Sequence, residues 1–121
     1  MYQRAKNLNQ RLRRFSMIII RLVTDFRKNP ESYIIGKQLI RSATSIGANT
    51  AEASAARTSL EFCSILNIAL KECQETMYWL QLAEDANLTD VSRVKVAIKE
   101  LDELGSILGC IIIKVRKKLS R

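Results

Sequence analysis

The chain has 121 residues, of which 47% are hydrophobic, and it contains only four glycines and one proline. It is too apolar to be disordered and too poor in turn residues for a many-stranded sandwich, so one helical domain is expected. The formal net charge of +8 is unevenly distributed. Residues 1–30 and 91–121 each carry eight basic residues, against one and three acids, whereas 61–90 carry six acids and one lysine. Such segregation predicts a surface that meets a polyanion.

Several kinds of chemistry are missing from the sequence. No histidine is present, which removes the usual general base and the commonest metal ligand. No glycine-rich phosphate loop and no catalytic serine or zinc motif is found. Cys63, Cys73 and Cys110 form no metal-binding spacing, and we interpret them as reduced, buried thiols of a cytoplasmic protein. We therefore expect no enzyme activity, no cofactor and no metal, and no apolar run approaches the roughly 20 residues of a membrane-spanning helix.

The first predicted helix spans about residues 4–28. Its apolar residues recur at spacings of four and three, the pattern of a bundle helix. Asn29 and Pro30 should end it, because the residue before a proline is disfavoured in the α region. We interpret a stripe of basic residues on its other side as a nucleic-acid-binding surface, although a solvated bundle face would present the same pattern. The stripe consists of Arg4, Arg11, Arg14, Arg21 and Lys28.

The second and third predicted helices span about 32–56 and 59–86. The second carries small residues at every fourth position, including Gly47 and Ala51, which would let a neighbouring helix or subunit approach closely. The third opens with a capping box, in which the Thr58 hydroxyl accepts the Glu61 N–H and the Glu61 carboxylate returns to Thr58.

The fourth predicted helix spans about 90–119. Gly105 and Gly109 lie one turn apart and cost roughly 1 kcal/mol each relative to alanine, which tight helix packing would offset. The segment 110–113 is apolar on every side, more than a bundle can bury, so we predict a subunit interface that includes Ile112 and Ile113. The basic residues at the end of this helix suit its dipole and are also predicted to contact nucleic acid. They are Lys114, Arg116, Lys117 and Lys118.

Together these segments predict an all-α, antiparallel up-down-up-down four-helix bundle with short connections. The first and fourth helices would lie side by side, so that the two basic segments share one face of the bundle. The third helix would be diagonal to the first and would carry the acidic residues elsewhere.

The segment 40–83 carries a specific pattern: Arg41, Ala43, Ser45, Asn49 with Glu52, Arg57 with Ser59, and Glu61-Phe62. In this it resembles a bacterial four-helix-bundle family first noticed as proteins encoded in intervening sequences of large-subunit ribosomal RNA. At Gly47 the chain departs from the family, which commonly has proline there.

The fourth helix also resembles the accessory variability determinant of diversity-generating retroelements, a branch of the same superfamily. The shared elements are Gly105, 107–109, Ile113 and the region of Arg116. This resemblance implies a homopentameric barrel of four-helix bundles with a basic surface. Such a protein binds RNA or DNA and docks a reverse transcriptase during mutagenic retrohoming, and it has no catalytic activity of its own.

Our leading hypothesis is a non-enzymatic, oligomeric nucleic-acid-binding accessory protein. The first alternative is a structural scaffold whose basic face meets an acidic protein, with no nucleic-acid role. A second alternative is a membrane-surface protein that uses its basic first helix, and it is weaker because the apolar residues of that helix already have a core to fill.

Overall fold

The computed structural model describes the backbone of residues 2–120 and the side chains of residues 7–120. It contains four α-helices: α1 (Tyr2–Thr24), α2 (Pro30–Ala53), α3 (Ser59–Asp85) and α4 (Val91–Leu119). Because only short connections join them, consecutive helices run antiparallel. The prediction of an all-α four-helix bundle is confirmed, and the pentameric assembly remains a prediction.

The turn between α1 and α2 begins earlier than the sequence indicated. The helix α1 ends at Thr24, and the Arg27 N–H then donates to the Leu88 carbonyl at 2.9 Å, which ties this turn to the α3–α4 connection. Asn29 does not end α1 but caps α2, since its side-chain oxygen accepts the Ser32 N–H at 2.9 Å. Pro30 fits the first turn of α2, where its missing N–H is not needed.

The starts of α3 and α4 are also set by capping side chains. The Thr58 hydroxyl accepts the Glu61 N–H at 3.0 Å, but the Glu61 carboxylate accepts the N–H of Arg57 at 2.9 Å instead of returning to Thr58. Asp90 caps α4 by accepting the Ser92 N–H at 3.0 Å, and its hydrogen bonds from Ser92 hold the pKa of Asp90 below the usual range. Asn87 makes the preceding turn with a left-handed φ of 51°, which asparagine tolerates.

The four helices form a square. Each packs against its neighbour in sequence, α1 also packs against α4, and the described residues form no close backbone contacts across either diagonal. The apolar seam predicted for the first helix is buried in the core, and it comprises Leu12, Phe15, Ile19, Leu22 and Phe26, with Leu8 packed against its edge.

The helices α1 and α2 lie close together at Gly36, which is buried near the turn. A Cβ atom at Gly36 would lie 2.6 Å from Val23 Cγ1, well inside van der Waals contact. Val23 cannot easily move away, because its β-branched side chain has few allowed rotamers. The absence of a side chain at Gly36 therefore allows the two helices to pack closely at this point.

We expect Gly36→Ala to lower the free energy of unfolding by about 1 kcal/mol, because the steric cost exceeds the gain in helix propensity. Urea denaturation of both proteins measures the difference. Gly47→Ala is the matched control, because its new Cβ would lie 3.5 Å from Leu12 Cβ, an ordinary contact. The free energy of unfolding of this variant should not be lower than that of the parent. A Gly36→Ala variant as stable as the parent would contradict the close approach.

Candidate nucleic-acid interface

Arg11 links α1 to α4. Its guanidinium donates to both carboxylate oxygens of Glu100, at 2.8 and 2.7 Å, and also to Glu103. These hydrogen bonds raise the pKa of Arg11. The bond from Arg11 likewise lowers the pKa of Glu100, with a smaller contribution from the charge of Arg14. Two carboxylates therefore neutralise Arg11, which is a structural link and not a free cation of the predicted stripe.

Three other arginines remain exposed on α1, and we call Arg13, Arg14 and Arg21 the α1 arginine surface. They surround the exposed side chains of Met17 and Ile18 in a shallow depression. None of the three forms an ion pair with an acidic side chain in the described part of the chain. The sequence predicted Arg14 and Arg21 but missed Arg13, which is exposed beside them although it lies off their seven-residue repeat.

The remaining predicted cations lie at opposite ends of the bundle. At one end, the Lys28 ammonium donates to the Thr24 carbonyl at 3.0 Å. Near that end, Arg93 pairs with Asp25 at 2.6 Å, which links the end of α1 to the start of α4. Lys114 lies about 30 Å further along α4 from Arg93. Among the described side chains, Lys28 and Lys114 therefore lie at opposite ends of the bundle.

The other cations of the α4 end are exposed as predicted from their helix position, namely Arg116, Lys117 and Lys118. Arg4 lies outside the residues whose side chains the structure describes.

The motif residue Arg41 holds α2 against α3. Its guanidinium contacts Glu75 and lies 3.6 Å from a carboxylate oxygen of Glu72. Glu75 also accepts the indole N–H of Trp79 at 3.2 Å. Part of the negative charge of the 61–90 segment is therefore neutralised inside the chain, and the acidic face is smaller than the composition indicated.

Three of the residues predicted for close packing or an interface are used within the chain. Ile112 is only 3% exposed and belongs to the bundle core, so it is not available to another subunit. Gly47 faces Leu12 of α1, and Gly105 faces Cys73 of α3. Gly47 therefore lies at the α1–α2 contact and Gly105 at the α3–α4 contact.

The other three predicted packing residues lie at the surface of the single chain. Ala51 is exposed on α2, and Ile113 is 55% exposed on α4. A Cβ at Gly109 would meet no atom within 4 Å, so packing within the chain does not explain this glycine. Because α2 and α4 are diagonal in the square, these residues form two separate faces.

The cysteines differ in their environments. Cys63 and Cys73 are buried, and burial raises the pKa of the Cys73 thiol to about 12, so that it stays protonated at neutral pH. Cys110 is exposed, which corrects the prediction that all three thiols are buried.

Within residues 2–120, no helix combines the length and the apolar character needed to cross a membrane. The described side chains also form no cluster of three or more cysteines and acids that could hold a metal ion.

These features define a small all-α bundle with a cationic first helix. The chain belongs to the family of 23S rRNA-intervening sequence proteins, whose family pattern matches residues 4–110. It is similar to a protein of unknown function from the S23 ribosomal protein family of Bacteroides thetaiotaomicron VPI-5482, with 32% sequence identity and a TM-score of 0.81. The similarity covers 87% of this chain and 97% of that one. No protein of curated function matches the chain.

We expect the α1–α4 link to make stability depend on pH in acid. The pKa of Glu100 is lowered on folding, so its contribution is complete above its ordinary pKa of 4.5 and is lost as the pH falls toward the folded value. Glu100→Gln should cost about 1–2 kcal/mol at pH 7 and have a smaller effect near pH 3. Urea denaturation across this range checks the trend. An equal cost at both pH values would contradict the ion pair.

Proposed function

We propose that this protein is a non-enzymatic, oligomeric accessory protein that binds nucleic acid through its phosphates. The α1 arginine surface carries the proposal, because its exposed guanidinium groups form no ion pair with an acidic side chain among the described residues. Exposed positive charge that no ion pair neutralises attracts a polyanion and releases its counterions.

The composition of this surface favours contact with the backbone over base readout. Arginine forks match the geometry of phosphate oxygens, and phosphate contacts supply affinity without sequence information. The exposed aromatic side chains Tyr33 and Tyr78 do not line the depression at the α1 arginine surface. We therefore infer weak sequence preference and strong dependence on salt.

The two exposed packing faces support assembly into a ring. Ala51 lies on α2, whereas Gly109 and Ile113 lie on the diagonal helix α4. A contact between two different faces is heterologous, and repeated contacts of this kind close into a ring when the rotation permits. A ring would repeat the α1 arginine surface around the assembly and increase avidity for a long polyanion. Five subunits is the number that the resemblance implies.

A reverse transcriptase is the proposed partner protein. The support for it is the similarity of α4 to the accessory variability determinant of retroelements, in the segment from Gly105 to Arg116. In this role the basic bundle would hold template RNA or its DNA copy near the polymerase.

The scaffold alternative is favoured by one specific observation. Met17 and Ile18 are 44% and 38% exposed between the arginines, and such a mixture also suits an acidic protein surface with apolar side chains. A protein of this kind would bind neither RNA nor DNA at low salt.

We expect charge reversal of Arg13, Arg14 and Arg21 to abolish detectable binding to a structured RNA and to a duplex DNA. The slope of log affinity against log salt is negative. It should become less steep by about 0.9 for each duplex phosphate that the variant no longer neutralises. Fluorescence anisotropy over a range of salt concentrations measures both quantities, and circular dichroism checks that the bundle stays folded.

A triple variant with the same charge change controls for net charge. Arg57, Lys71 and Lys95 are exposed and form no ion pairs with described acids, so their reversal to glutamate should reduce binding less. Equal losses in the two triple variants would remove the α1 arginine surface from the binding site. Absence of binding by the parent at low salt would favour the scaffold alternative.

We expect Ile113→Asp to reduce the mass of the assembly to that of a single chain, because an unpaired carboxylate would be buried in the interface. Light scattering measures the mass. Val96→Asp is the control, since Val96 is 64% exposed on another face of α4 and should leave the mass unchanged. An Ile113→Asp variant with the parent's mass would place the interface elsewhere.

A further inference from the structure

A cavity of about 570 Å³ lies at the end of the bundle where α1 and α3 begin and α2 and α4 end. All four helices contribute to its lining, and it shares no residue with the α1 arginine surface. Leu66 and Thr50 line it although they are only 2% and 6% exposed, so the cavity extends to the edge of the core. Its volume falls in the range of roughly 300–1,000 Å³ that is typical of small-molecule sites, which helix bundles form between their helices.

The apolar lining of this cavity is accessible to a ligand. Five of its side chains are only half-buried, and they come from α1, α3 and α4: Leu8, Phe62, Ile107, Ile111 and Val115. Apolar surface that remains in contact with water favours the binding of hydrocarbon, which removes it from water. The Thr50 hydroxyl already donates to the Ile46 carbonyl at 2.8 Å, so it does not require a polar ligand. The inner part of the cavity therefore suits an alkyl chain.

Positive charge lies beside this apolar lining. Lys114 and Lys118 both line the cavity, are exposed, and lie about one turn apart on α4. Neither forms an ion pair with an acidic side chain of residues 7–120. None of the described lining residues is acidic, and the rest of the chain, residues 1–6 and 121, includes no aspartate or glutamate. An anionic group at this cavity would therefore be attracted and not repelled.

The sequence predicted that these two lysines contact nucleic acid, but their position beside the cavity favours a different anion. A phosphate backbone is charged along its whole length and cannot fill an apolar cavity that extends to the core. A molecule with one hydrocarbon chain and one anionic head matches both the lining and the lysines. The apolar stem of a lysine also packs well against such a chain while its ammonium group stays in water.

We propose that this cavity binds one fatty acid per chain. The alkyl chain packs between the helices against the half-buried apolar side chains, and the carboxylate pairs with the ammonium groups of Lys114 and Lys118. The proposal does not depend on nucleic-acid binding, because the cavity and the α1 arginine surface have no residue in common.

Cys110 provides a reporter for the test. It lines the cavity and is exposed, whereas Cys63 and Cys73 are buried, so iodoacetamide should alkylate Cys110 selectively. At about ten times its dissociation constant, lauric acid should slow this alkylation about tenfold, because only the unliganded fraction reacts. Mass spectrometry follows the reaction. Acetate and dodecanol, which supply only the head or only the chain, should protect Cys110 less at the same concentration.

Two variants separate the contributions of the charge and of the cavity. Reversal of Lys114 and Lys118 to glutamate should weaken lauric acid binding at least about tenfold in calorimetric titration, whereas replacement of both by arginine should retain it. Ser106 is exposed and lines the cavity, so Ser106→Trp should fill the cavity and abolish binding without overpacking the core. Circular dichroism checks that each variant stays folded.

Matched controls lie away from the cavity. Lys71, Lys95 and Ser64 are exposed and do not line it. Reversal of both lysines to glutamate, and separately Ser64→Trp, should leave lauric acid binding as in the parent. The triple charge reversal of Arg13, Arg14 and Arg21 should also retain it, so failure of either proposal can be recognised independently of the other.

Several results would overturn the fatty-acid site. They are absence of lauric acid binding by the parent, alkylation of Cys110 at an unchanged rate in its presence, and equal binding by the cavity and control variants. Binding to vesicles of an anionic phospholipid without binding of lauric acid would instead assign this end of the bundle to a membrane surface. Protection of Cys110 that rises with protein concentration in the absence of lauric acid would show that a second copy covers the cavity.

Discussion

The arrangement of charge on this protein depends on the register between α1 and α4. Short connections and an apolar seam place these helices side by side and antiparallel, and two sets of ion pairs join them at the resulting register. Asp25 meets Arg93 near one end, and Arg11 meets Glu100 and Glu103 further along. This register decides which cations are neutralised and which face solvent.

The α1 arginine surface contains charged groups that no ion pair within the described chain neutralises. Arg13, Arg14 and Arg21 keep their guanidinium groups exposed. By contrast, Arg11 and Arg41 form ion pairs that join neighbouring helices. Unsatisfied groups in an otherwise consistent structure are where a ligand has most to contribute.

Much of the fold could be predicted from local patterns. The apolar spacing of the first helix, the Thr58 cap and the short connections led to the correct bundle. The end of α1 was placed too late, because the Arg27 N–H finds its acceptor in Leu88, a residue far away in sequence. The neutralisation of Arg11 was missed for the same reason: its partners Glu100 and Glu103 lie on another helix, and helix periodicity describes only one helix at a time.

The sequence by itself determined the fold class, the segregation of charge and the membership of an intervening-sequence protein family, because these follow from composition, periodicity and residue pattern. The tertiary structure decided which predicted residues are available for binding. It placed Ile112 in the core, Cys110 at the surface and Arg11 in an ion pair. Exposure and charge pairing depend on which helices meet and at what register, and these contacts join residues far apart in the chain.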